Sequence, residues 1–523
     1  MEDWLYYSLA ATFCAALSLL LSSALRRSPA AGKPPAKPSS LPPGPPAALS
    51  LLGPFLFFLW TAIGIESIVR AARSWYGPVF TLYLLPSSPV VFVADHAVAR
   101  RVLVQGGAAF ADRPPANLAT RIFSSNQHNI TSGAYGPVWS VLRRNLTGRV
   151  LQPTCLRRYA AARREAVKGL IAGVARQMRA AGDGVVVVHD LLHHAIFHVN
   201  VAMCFGEGLG DDVVAAVTAL QREFLTSVVG FQVFGTSAIT KVLFRRRWKK
   251  MLSIRRRQEE LFLPLIRARK ARREAAGDDG VAVECYADSL LGLRIPEDGG
   301  RNLKEAEMVS LCSEFLAGGT DSTVAVMQWT MANLVALPEV QAKLREEIRA
   351  VAGGDGGVLQ DEHLPRMPYL RAVVLEGLRR HPPGRFMIPH AATEEGGAAV
   401  DGFLVPRHAS VNFALGGMAM DEAVWPEARR FRPERFLPGG EGEDVDLTGS
   451  KEIKMMPFGA GRRICPGIEA ALLHLQYFVG SLMAEFEWAE VPGEPVDFAE
   501  KLEMSVVMRR PLRAKVVPCN MSK

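Results

Sequence analysis

The segment PFGAGRRICPG, residues 457–467, leaves the chain few conformations. Its glycines allow tight turns in which backbone N–H groups point at the sulfur of Cys465, and a helix that begins at Pro466 would place its positive end beside that sulfur. Arg463 adds positive charge, and Phe458 is available to shield the sulfur from water. These conditions favour a thiolate, which is one of the few axial ligands that proteins offer to a haem iron. The alternative is an unreactive buried cysteine after a glycine turn.

The composition fits a globular protein with a large core: 523 residues, 49% hydrophobic and 22% charged. The net charge of +9 is spread along the chain without a zinc-finger or RNP-like pattern, so we expect no nucleic-acid partner. The seven cysteines are widely spaced and include no CxxC pair. This usage disfavours a disulfide framework or a zinc site and favours a reducing compartment.

The amino-terminal region predicts a membrane anchor. Residues 4–25 carry no charge and would span roughly 33 Å as a helix, enough to cross a bilayer. Arg26 and Arg27 follow this run, so the body of the protein is expected on the cytoplasmic side. A cleaved signal peptide is the alternative. Residues 26–46 predict a basic, proline-rich linker, and residues 47–523 a single catalytic domain.

Helical periodicity dominates the rest of the chain. Two β-rich runs, 79–84 and 90–95, flank LPSSP and predict a hairpin. Helices are predicted at 156–180, 213–224, 248–275, 304–336, 338–351, 368–380 and 468–486. The expected fold is mainly α with a small β portion.

The spacing within the cysteine segment matches a known pattern. Phe458, Gly461, Arg463, Cys465 and Gly467 fit the FxxGxRxCxG sequence of cytochromes P450. The chain resembles the plant A-type members (microsomal, class II) along essentially its whole length, and HPPGRFMIPH and FRRRWKK resemble the eighty-nine family most. The resemblance implies the cytochrome P450 fold and haem b with Cys465 as its iron ligand. It also implies that Phe458, Gly459 and Gly467 lie in the loop that holds the cofactor.

Two further motifs agree with this resemblance. EGLR, residues 376–379, resembles the ExxR of the family, and PERF follows at 433–436. The family implies that Glu376, Arg379 and Arg435 form a buried triad that braces the cysteine loop. Considered alone, a Glu and an Arg three residues apart on a helix are more often an exposed pair.

Other residues are expected to bind the haem propionates. WSVLR, residues 139–143, resembles the WxxxR of the family, and IPHAAT at 388–393 resembles another propionate contact. A guanidinium fork suits a carboxylate. The expected propionate set is Trp139, Arg143, His390 and Arg463. A surface arginine on an amphipathic helix and an ordinary loop histidine are the alternatives.

The long helix predicted at 304–336 contains EFLAGGTDST, and each of its two glycines costs about 1 kcal/mol of helix stability relative to alanine. The family pattern (A/G)GxD(T) aligns with residues 318–322, which implies that O2 and substrate lie against the glycines. Asp321 and Ser322 would then deliver protons to oxygen. Ser322 stands where the family usually has threonine, so Thr323 is a third candidate. A satisfied buried acid and a hydroxyl bonded to the preceding turn are the alternatives.

The resemblance implies a haem-thiolate monooxygenase of the endoplasmic reticulum membrane, with its catalytic domain in the cytosol. It would take electrons from NADPH through NADPH–cytochrome P450 reductase and oxidise a lipophilic or mixed-polarity small molecule of plant metabolism. Tetrapyrrole breakdown products of chlorophyll, on which the eighty-nine family acts, are one candidate. The alternatives are a reductase-independent isomerase or dehydratase and a non-catalytic membrane haem protein.

The partners implied are the reductase, membrane lipid and the substrate. The candidate reductase contacts are basic residues expected near the cysteine loop: Arg429, Arg430, Lys451, Lys454 and Arg462. The alternative is that these residues form an ordinary solvated face. The candidate substrate contacts are 114–128, 224–244, 315–320, 385–388 and 504–507.

Overall fold

The computed structural model describes residues 41–45, 65–85, 88–235, 239–276, 285–297, 299–353 and 359–519. The predicted anchor at 4–25 and most of the predicted linker at 26–46 lie outside these residues.

Helices make up most of the described chain. They are α1 (Ile65–Tyr76), α2 (His96–Arg100), α3 (Leu118–Phe123), α4 (Pro137–Arg149), α5 (Pro153–Leu156), α6 (Ala160–Ala181), α7 (His189–Phe205), α8 (Asp211–Val228), α9 (Ile239–Leu243), α10 (Arg245–Ala276), α11 (Tyr286–Leu291), α12 (Glu305–Ala336), α13 (Pro338–Ala352), α14 (Pro368–Arg380), α15 (Leu415–Ala419) and α16 (Ile468–Glu485). A π-helical segment covers Arg101–Gln105, and 3₁₀ turns cover Arg157–Tyr159, Val229–Gly235, Asp361–Arg366, Pro433–Phe436 and Gly461–Arg463.

The strands are short. They are β1 (Val79–Leu85), β2 (Ser88–Val93), β3 (Val185–Val187), β4 (Arg294–Ile295), β5 (Arg301–Asn302), β6 (Ala398–Val400), β7 (Phe403–Val405), β8 (Ser410–Phe413), β9 (Phe486–Ala489), β10 (Glu500–Leu502), β11 (Val506–Met508) and β12 (Arg513–Pro518). The predicted hairpin is present as the antiparallel pair β1–β2, and β8 joins β2 in parallel. A second sheet has the order β3-β12-β9. The fold is mainly α with a small β portion, as predicted.

Helix α12 lies at the centre of the fold. It has 32 residues, begins after Lys304 and ends before Pro338, which cannot continue the hydrogen-bond ladder. Most of its residues are buried, as expected for a helix that is apolar on nearly every side. It packs against α7, α8, α10, α14 and α16. Since α16 directly follows the cysteine segment, this packing joins that segment to the central helix.

Helix bounds were predicted best where apolar periodicity is long. Helix α14 has the predicted bounds, and α12 begins one residue later than predicted. The helix predicted from residue 156 begins at Ala160 instead, because Pro153 starts the separate short helix α5. The last helix, predicted at 468–486, is α16 (Ile468–Glu485), so the helix start at Pro466 that the cysteine segment suggested lies two residues too early.

Within the described residues, one helical run, Asp211–Gly235, is long and apolar enough to cross a membrane by length and composition. This run includes α8, whose residues Val214, Val217 and Leu225 are buried in the domain. It also contacts α10 and α12. We therefore treat it as a helix of the domain.

Candidate active site

The cysteine segment presents one sulfur between a tight turn and α16. The Cys465 N–H donates to the carbonyl of Phe458 at 2.8 Å, and the Gly467 N–H donates to Cys465 Sγ at 3.3 Å. Arg143 donates to the carbonyl of Ile464 at 2.5 Å. Burial raises the pKa of the Cys465 thiol, whereas the Gly467 N–H and the Arg143 charge act in the opposite direction. A metal cation at the sulfur would add the positive charge that secures the thiolate.

Two glycines are required by the turn before Cys465. Gly459 and Gly461 both have φ +72°, which L side chains rarely adopt. A Cβ on Gly461 would lie 1.8 Å from the carbonyl oxygen of Leu103 in the π-helical segment. Gly467 has a non-helical backbone and caps α16. The Gly467 N–H donates to the Cys465 sulfur, and the first residue with helical backbone is Ile468.

Three arginines lie close together on one side of the cysteine segment. Arg463 donates to the carbonyls of Ala111 at 2.6 Å and Gly133 at 2.7 Å, and its guanidinium lies 4.3 Å from the ring centroid of Trp139. Burial, together with the neighbouring Arg143, lowers the pKa of Arg463 to about 10. Burial together with Arg463 lowers the pKa of Arg113 to about 9. Asp112 and Glu314 lie near these guanidiniums and offset part of their charge, and the excess of positive charge favours a bound anion.

His390 borders the same cluster. Its Nδ1 lies 2.7 Å from the carbonyl oxygen of Phe110, so Nδ1 carries the proton of the neutral ring. Its Nε2 is buried and has no hydrogen-bond partner among the described residues. Burial, Arg113 and Arg463 lower the pKa of His390 to about 3. A carboxylate in this place would offset the arginine charges and supply the missing partner for Nε2.

These observations test whether the residues fit a haem. A sulfur donor, a group of arginines suited to carboxylates and an unsatisfied imidazole nitrogen occur together, and they match an iron ligand and its propionate contacts. The structure brings Trp139, Arg143, His390 and Arg463 into one region, and their role as propionate contacts stays a prediction. It adds Arg113, which has no family motif in the sequence. The residues therefore fit the cofactor.

The predicted triad is a single buried network. Arg379 donates to both carboxylate oxygens of Glu376, at 2.6 and 2.8 Å, and Arg435 donates to Glu376 at 3.3 Å. All three side chains are fully buried. Arg379 also donates to the carbonyls of Ala419 and Ala428, so the network fixes the chain that leads into the cysteine segment. The role in haem binding stays a prediction.

Sequence reasoning missed a further member of this network, Glu441. Its carboxylate accepts hydrogen bonds from Arg435 and Arg432. Although burial opposes ionisation, backbone and arginine hydrogen bonds hold the pKa of Glu441 below its ordinary value. No local motif marks Glu441, because the network forms only when residues 376–379 and 433–441 meet.

The central helix is open at the predicted oxygen-binding stretch. Gly318 is exposed although most of α12 is buried, and a Cβ built on it would have no neighbour within 4 Å. Ser322 lies one turn away on the same face, half-buried, and donates to the Gly318 carbonyl at 3.0 Å. Thr323 is buried and donates to the Gly319 carbonyl at 3.0 Å. Of the two hydroxyls, that of Ser322 lies beside the opening.

Asp321 has a partner that the sequence analysis did not identify. His193 of α7 places Nε2 3.4 Å from Asp321 Oδ1. Glu314 was also missed: its carboxylate accepts from the Asn129 side chain and the Ile130 N–H, both at 3.0 Å, and this ties the loop before α4 to α12. For His193, the sequence offers one signal, its position on an apolar helix. This position fits a buried core histidine as well as it fits a functional one.

A helical domain with one cysteine sulfur beside a cationic, carboxylate-binding cluster defines a haem-thiolate protein. Comparison with known proteins agrees: residues 42–517 match the family described as Cytochrome P450. The chain belongs to the cytochrome P450 family and is a haem-dependent monooxygenase that uses O2.

Individual relatives support this assignment. Cytochrome P450 89A9 of Arabidopsis thaliana is 41% identical over 91% of this chain and 94% of its own length. The flavonoid 3'-monooxygenase CYP75B3 of Oryza sativa subsp. japonica is 30% identical, over 85% of each chain. The solved structure of a zebra fish cytochrome P450 with progesterone has a TM-score of 0.70 and 21% identity, covering 87% of this chain and 99% of its own. The predicted fold and the predicted resemblance to plant cytochromes P450 are confirmed.

Proposed function

We propose that Cys465 is the axial ligand of haem b and that Trp139, Arg143, His390, Arg463 and Arg113 hold its propionates. When bound, the haem supplies the activation of O2 for insertion of one oxygen atom into a substrate. The observation that carries this proposal is the Cys465 sulfur, bonded by the Gly467 N–H next to a cluster of buried arginines. Phe458 packs beside the core at this loop and limits the access of water.

On the other side of the site, we propose that Asp321 and Ser322 supply the protons that the reaction consumes. The opening at Gly318 gives room for O2 and substrate beside the Ser322 hydroxyl. The Ser322 hydroxyl donates its one hydrogen to the Gly318 carbonyl. To pass this proton onward, the hydroxyl rotates away from the carbonyl, and its oxygen then accepts a proton from a neighbour. Thr323 is buried on another face, and we assign it a packing role.

The substrate is proposed to be lipophilic or of mixed polarity. Two of the expected contact ranges, 114–128 and 224–244, meet in an apolar cluster in which Phe123 lies 4.6 Å from Phe224 and 6.0 Å from Phe231, between ring centroids. Arg385, from a third range, is paired with Glu66 and Glu500, so it is not placed to bind an anionic group of the substrate. Tetrapyrrole products of chlorophyll breakdown are the first class to test, because the resemblance to the eighty-nine family suggests them.

We propose that electrons come from NADPH through NADPH–cytochrome P450 reductase at the endoplasmic reticulum membrane. Arg429, Arg430, Lys451 and Arg462 are exposed near the cysteine segment and suit an acidic partner. Lys454 is half-buried and donates to the Glu441 carbonyl at 2.8 Å, so it contributes less to this surface. The anchor at 4–25 would keep the protein and the reductase on one membrane.

The test uses purified full-length protein with the reductase in lipid vesicles. Metabolites that include tetrapyrroles are screened for a change in haem spin state, and positive compounds are incubated with NADPH and O2. The expected result is a product that has gained one oxygen atom, formed only with the reductase. A native, haem-loaded protein that lacks the thiolate-type spectrum of the reduced carbon monoxide complex would contradict the role of Cys465, and Cys465→Ser provides the reference for that spectrum.

A further inference from the structure

His193 is built against Asp321 from a neighbouring helix. It is 6% exposed and lies on α7, with Nε2 3.4 Å from Asp321 Oδ1. Its ring stacks on Phe197 of the same helix, with centroids 5.8 Å apart and an angle of 11° between the planes. The stacking restrains the imidazole plane while Nε2 lies within ion-pair distance of the carboxylate. An imidazole nitrogen can accept or donate a proton, so it can exchange one with the neighbouring carboxylate.

The polar contacts continue along α7 toward solvent. His189 lies one turn before His193, with ring centroids 6.4 Å apart, and its Nδ1 is 3.2 Å from Oε1 of Gln328 on α12. Gln328 is 2% exposed, and its Nε2 has no hydrogen-bond partner among the described residues. A buried amide of this kind is usually satisfied by an ordered water. His189 is the first residue of α7 and is partly exposed, so it connects the polar contacts of His193, His189 and Gln328 to bulk water. We call these three residues the histidine path.

At its inner end, the histidine path contacts Asp321, which lies near the opening in α12. The Asp321 side chain is 26% exposed, in contrast to the buried His193. Its neighbours in sequence are Thr320, which is buried and bonded to Asn200 at 3.0 Å, and Ser322, which lies beside the opening. Asp321 therefore lies between the buried imidazole and the region where protons are needed.

The charges around His189 and His193 come from α7 and α8, in addition to Asp321 of α12. Asp190 of α7 and Arg222 of α8 form an exposed ion pair at 2.9 Å beside His189. Burial lowers the pKa of His189, and Arg222 and His193 also lower it, whereas the Gln328 hydrogen bond and Asp190 raise it. His189 thus favours its neutral form and can pass a proton without retaining it.

We propose that His193 is a positioning residue that orients Asp321 and reloads it with a proton after each delivery, along a path that reaches solvent at His189. The transfer moves one proton from the imidazolium Nε2 to the Asp321 carboxylate. It leaves a neutral imidazole and a carboxylic acid, and water at the His189 end then returns a proton to the imidazole. This inference rests on the proposed role of Asp321 in proton supply.

The experiment needs no identified substrate, because O2 itself is the probe. With NADPH and the reductase, the full-length protein reduces O2 either to hydrogen peroxide with one NADPH or to two waters with two NADPH. Poor proton supply favours peroxide. We expect His193→Gln, which keeps a polar side chain but cannot titrate, to raise peroxide per NADPH by at least about twofold. His189→Gln should cause a smaller rise, and His194→Gln, an exposed histidine on the same helix, should cause none.

The double variant separates this inference from the proposal on which it rests. If His193 acts through Asp321, then His193→Gln with Asp321→Asn should give the same peroxide yield as Asp321→Asn alone. An unchanged yield in Asp321→Asn would contradict the proposed relay itself. A changed yield in Asp321→Asn together with a wild-type yield in His193→Gln would overturn the role of His193 and leave the relay intact. Each variant must keep the thiolate-type spectrum.

A second measurement does not depend on turnover. The ring signals of His193 are followed by NMR of labelled imidazoles in the reduced carbon monoxide complex, which is diamagnetic. Asp321→Asn should change the ring nitrogen shifts of His193, because it replaces the carboxylate that lies 3.4 Å from Nε2. Unchanged His193 signals in Asp321→Asn would show that the pair does not interact and would overturn the inference.

Discussion

Among single residues, the hydroxyls of Ser322 and Thr323 show what the structure adds to the sequence. The motif makes both candidates for proton delivery, since they are adjacent and chemically alike. The helix separates them: Ser322 shares the open face with Gly318, whereas Thr323 is buried and donates to the Gly319 carbonyl. Adjacent positions on a helix face different directions, and only the packing around α12 decides which face is open.

We therefore expect Ser322→Ala to raise hydrogen peroxide per NADPH by at least about twofold, since it removes the hydroxyl at the opening. The matched variant Thr323→Ala should leave the peroxide yield unchanged and lower the free energy of unfolding by about 1 kcal/mol, because it removes buried atoms and a hydrogen bond. Peroxide yield and thermal unfolding of the haem-loaded protein measure both effects. A larger peroxide yield in Thr323→Ala than in Ser322→Ala would reverse the assignment.

The Glu376 network makes a different prediction. Glu376→Gln keeps the shape of the side chain but leaves the charges of Arg379 and Arg435 without their shared carboxylate in a fully buried place. We expect a loss of about 3–5 kcal/mol in the free energy of unfolding and a loss of haem during purification.

The control for that variant is Glu260→Gln on α10, which breaks an exposed ion pair with Arg256. It should leave haem content and stability unchanged, since such pairs contribute little in water. The ratio of haem to protein and the unfolding transition are the measurements. Full haem content in Glu376→Gln would show that the network does not support the cofactor site.

Among the structural elements, the long helices were predictable and the short segments were not. Helices α12 and α14 have long apolar periodicity and a proline at a boundary, so local signals define them. The π-helical segment Arg101–Gln105 has no such pattern. Arg113 was missed for a similar reason: it bonds the carbonyls of Thr131, Ile388 and Pro389, which come together only in the folded chain.

The contact of the cysteine segment with the π-helical segment can be tested at Gly461. We expect Gly461→Ala to abolish stable haem binding, because the new Cβ would lie 1.8 Å from the Leu103 carbonyl oxygen and the residue has φ +72°. The backbone conformation alone costs roughly 1–3 kcal/mol for a non-glycine residue. Gly148→Ala on α4 is the matched control, because its Cβ would meet no atom within 4 Å. The absorption spectrum of purified Gly461→Ala should lack the haem bands, whereas that of Gly148→Ala should match the wild type. A normal spectrum for Gly461→Ala would contradict this contact.

For the whole molecule, the sequence predicts a catalytic domain that is attached to a membrane. The described residues belong to the catalytic domain, and the predicted anchor lies outside them. Residues 4–25 have the length and the apolar character of a membrane span, and basic residues follow them. We expect deletion of residues 1–30 to shift the protein from the vesicle-bound fraction toward the soluble fraction in flotation assays while the thiolate-type spectrum is kept. The control replaces residues 4–25 with an unrelated apolar helix of equal length, which should restore binding. Equal flotation of the deletion and the full-length protein would contradict the anchor.

We propose that the reductase delivers electrons at the face of the domain near the cysteine segment. Arg429 and Lys451 are exposed there. Arg379 of the buried network donates to the Ala428 carbonyl and so holds the backbone next to Arg429 against α14. We expect Arg429→Glu with Lys451→Glu to raise the reductase concentration needed for half-maximal rate by about tenfold at low salt, because two favourable charges become repulsive. The difference from wild type should shrink at high salt, since a Debye length of about 3 Å at 1 M screens exposed charges. Arg256→Glu on α10 changes an equally exposed charge elsewhere on the domain and should not alter the reductase dependence. If the double variant and wild type need the same reductase concentration at low salt, these residues do not form the docking surface, and the basic face is only a solvated surface.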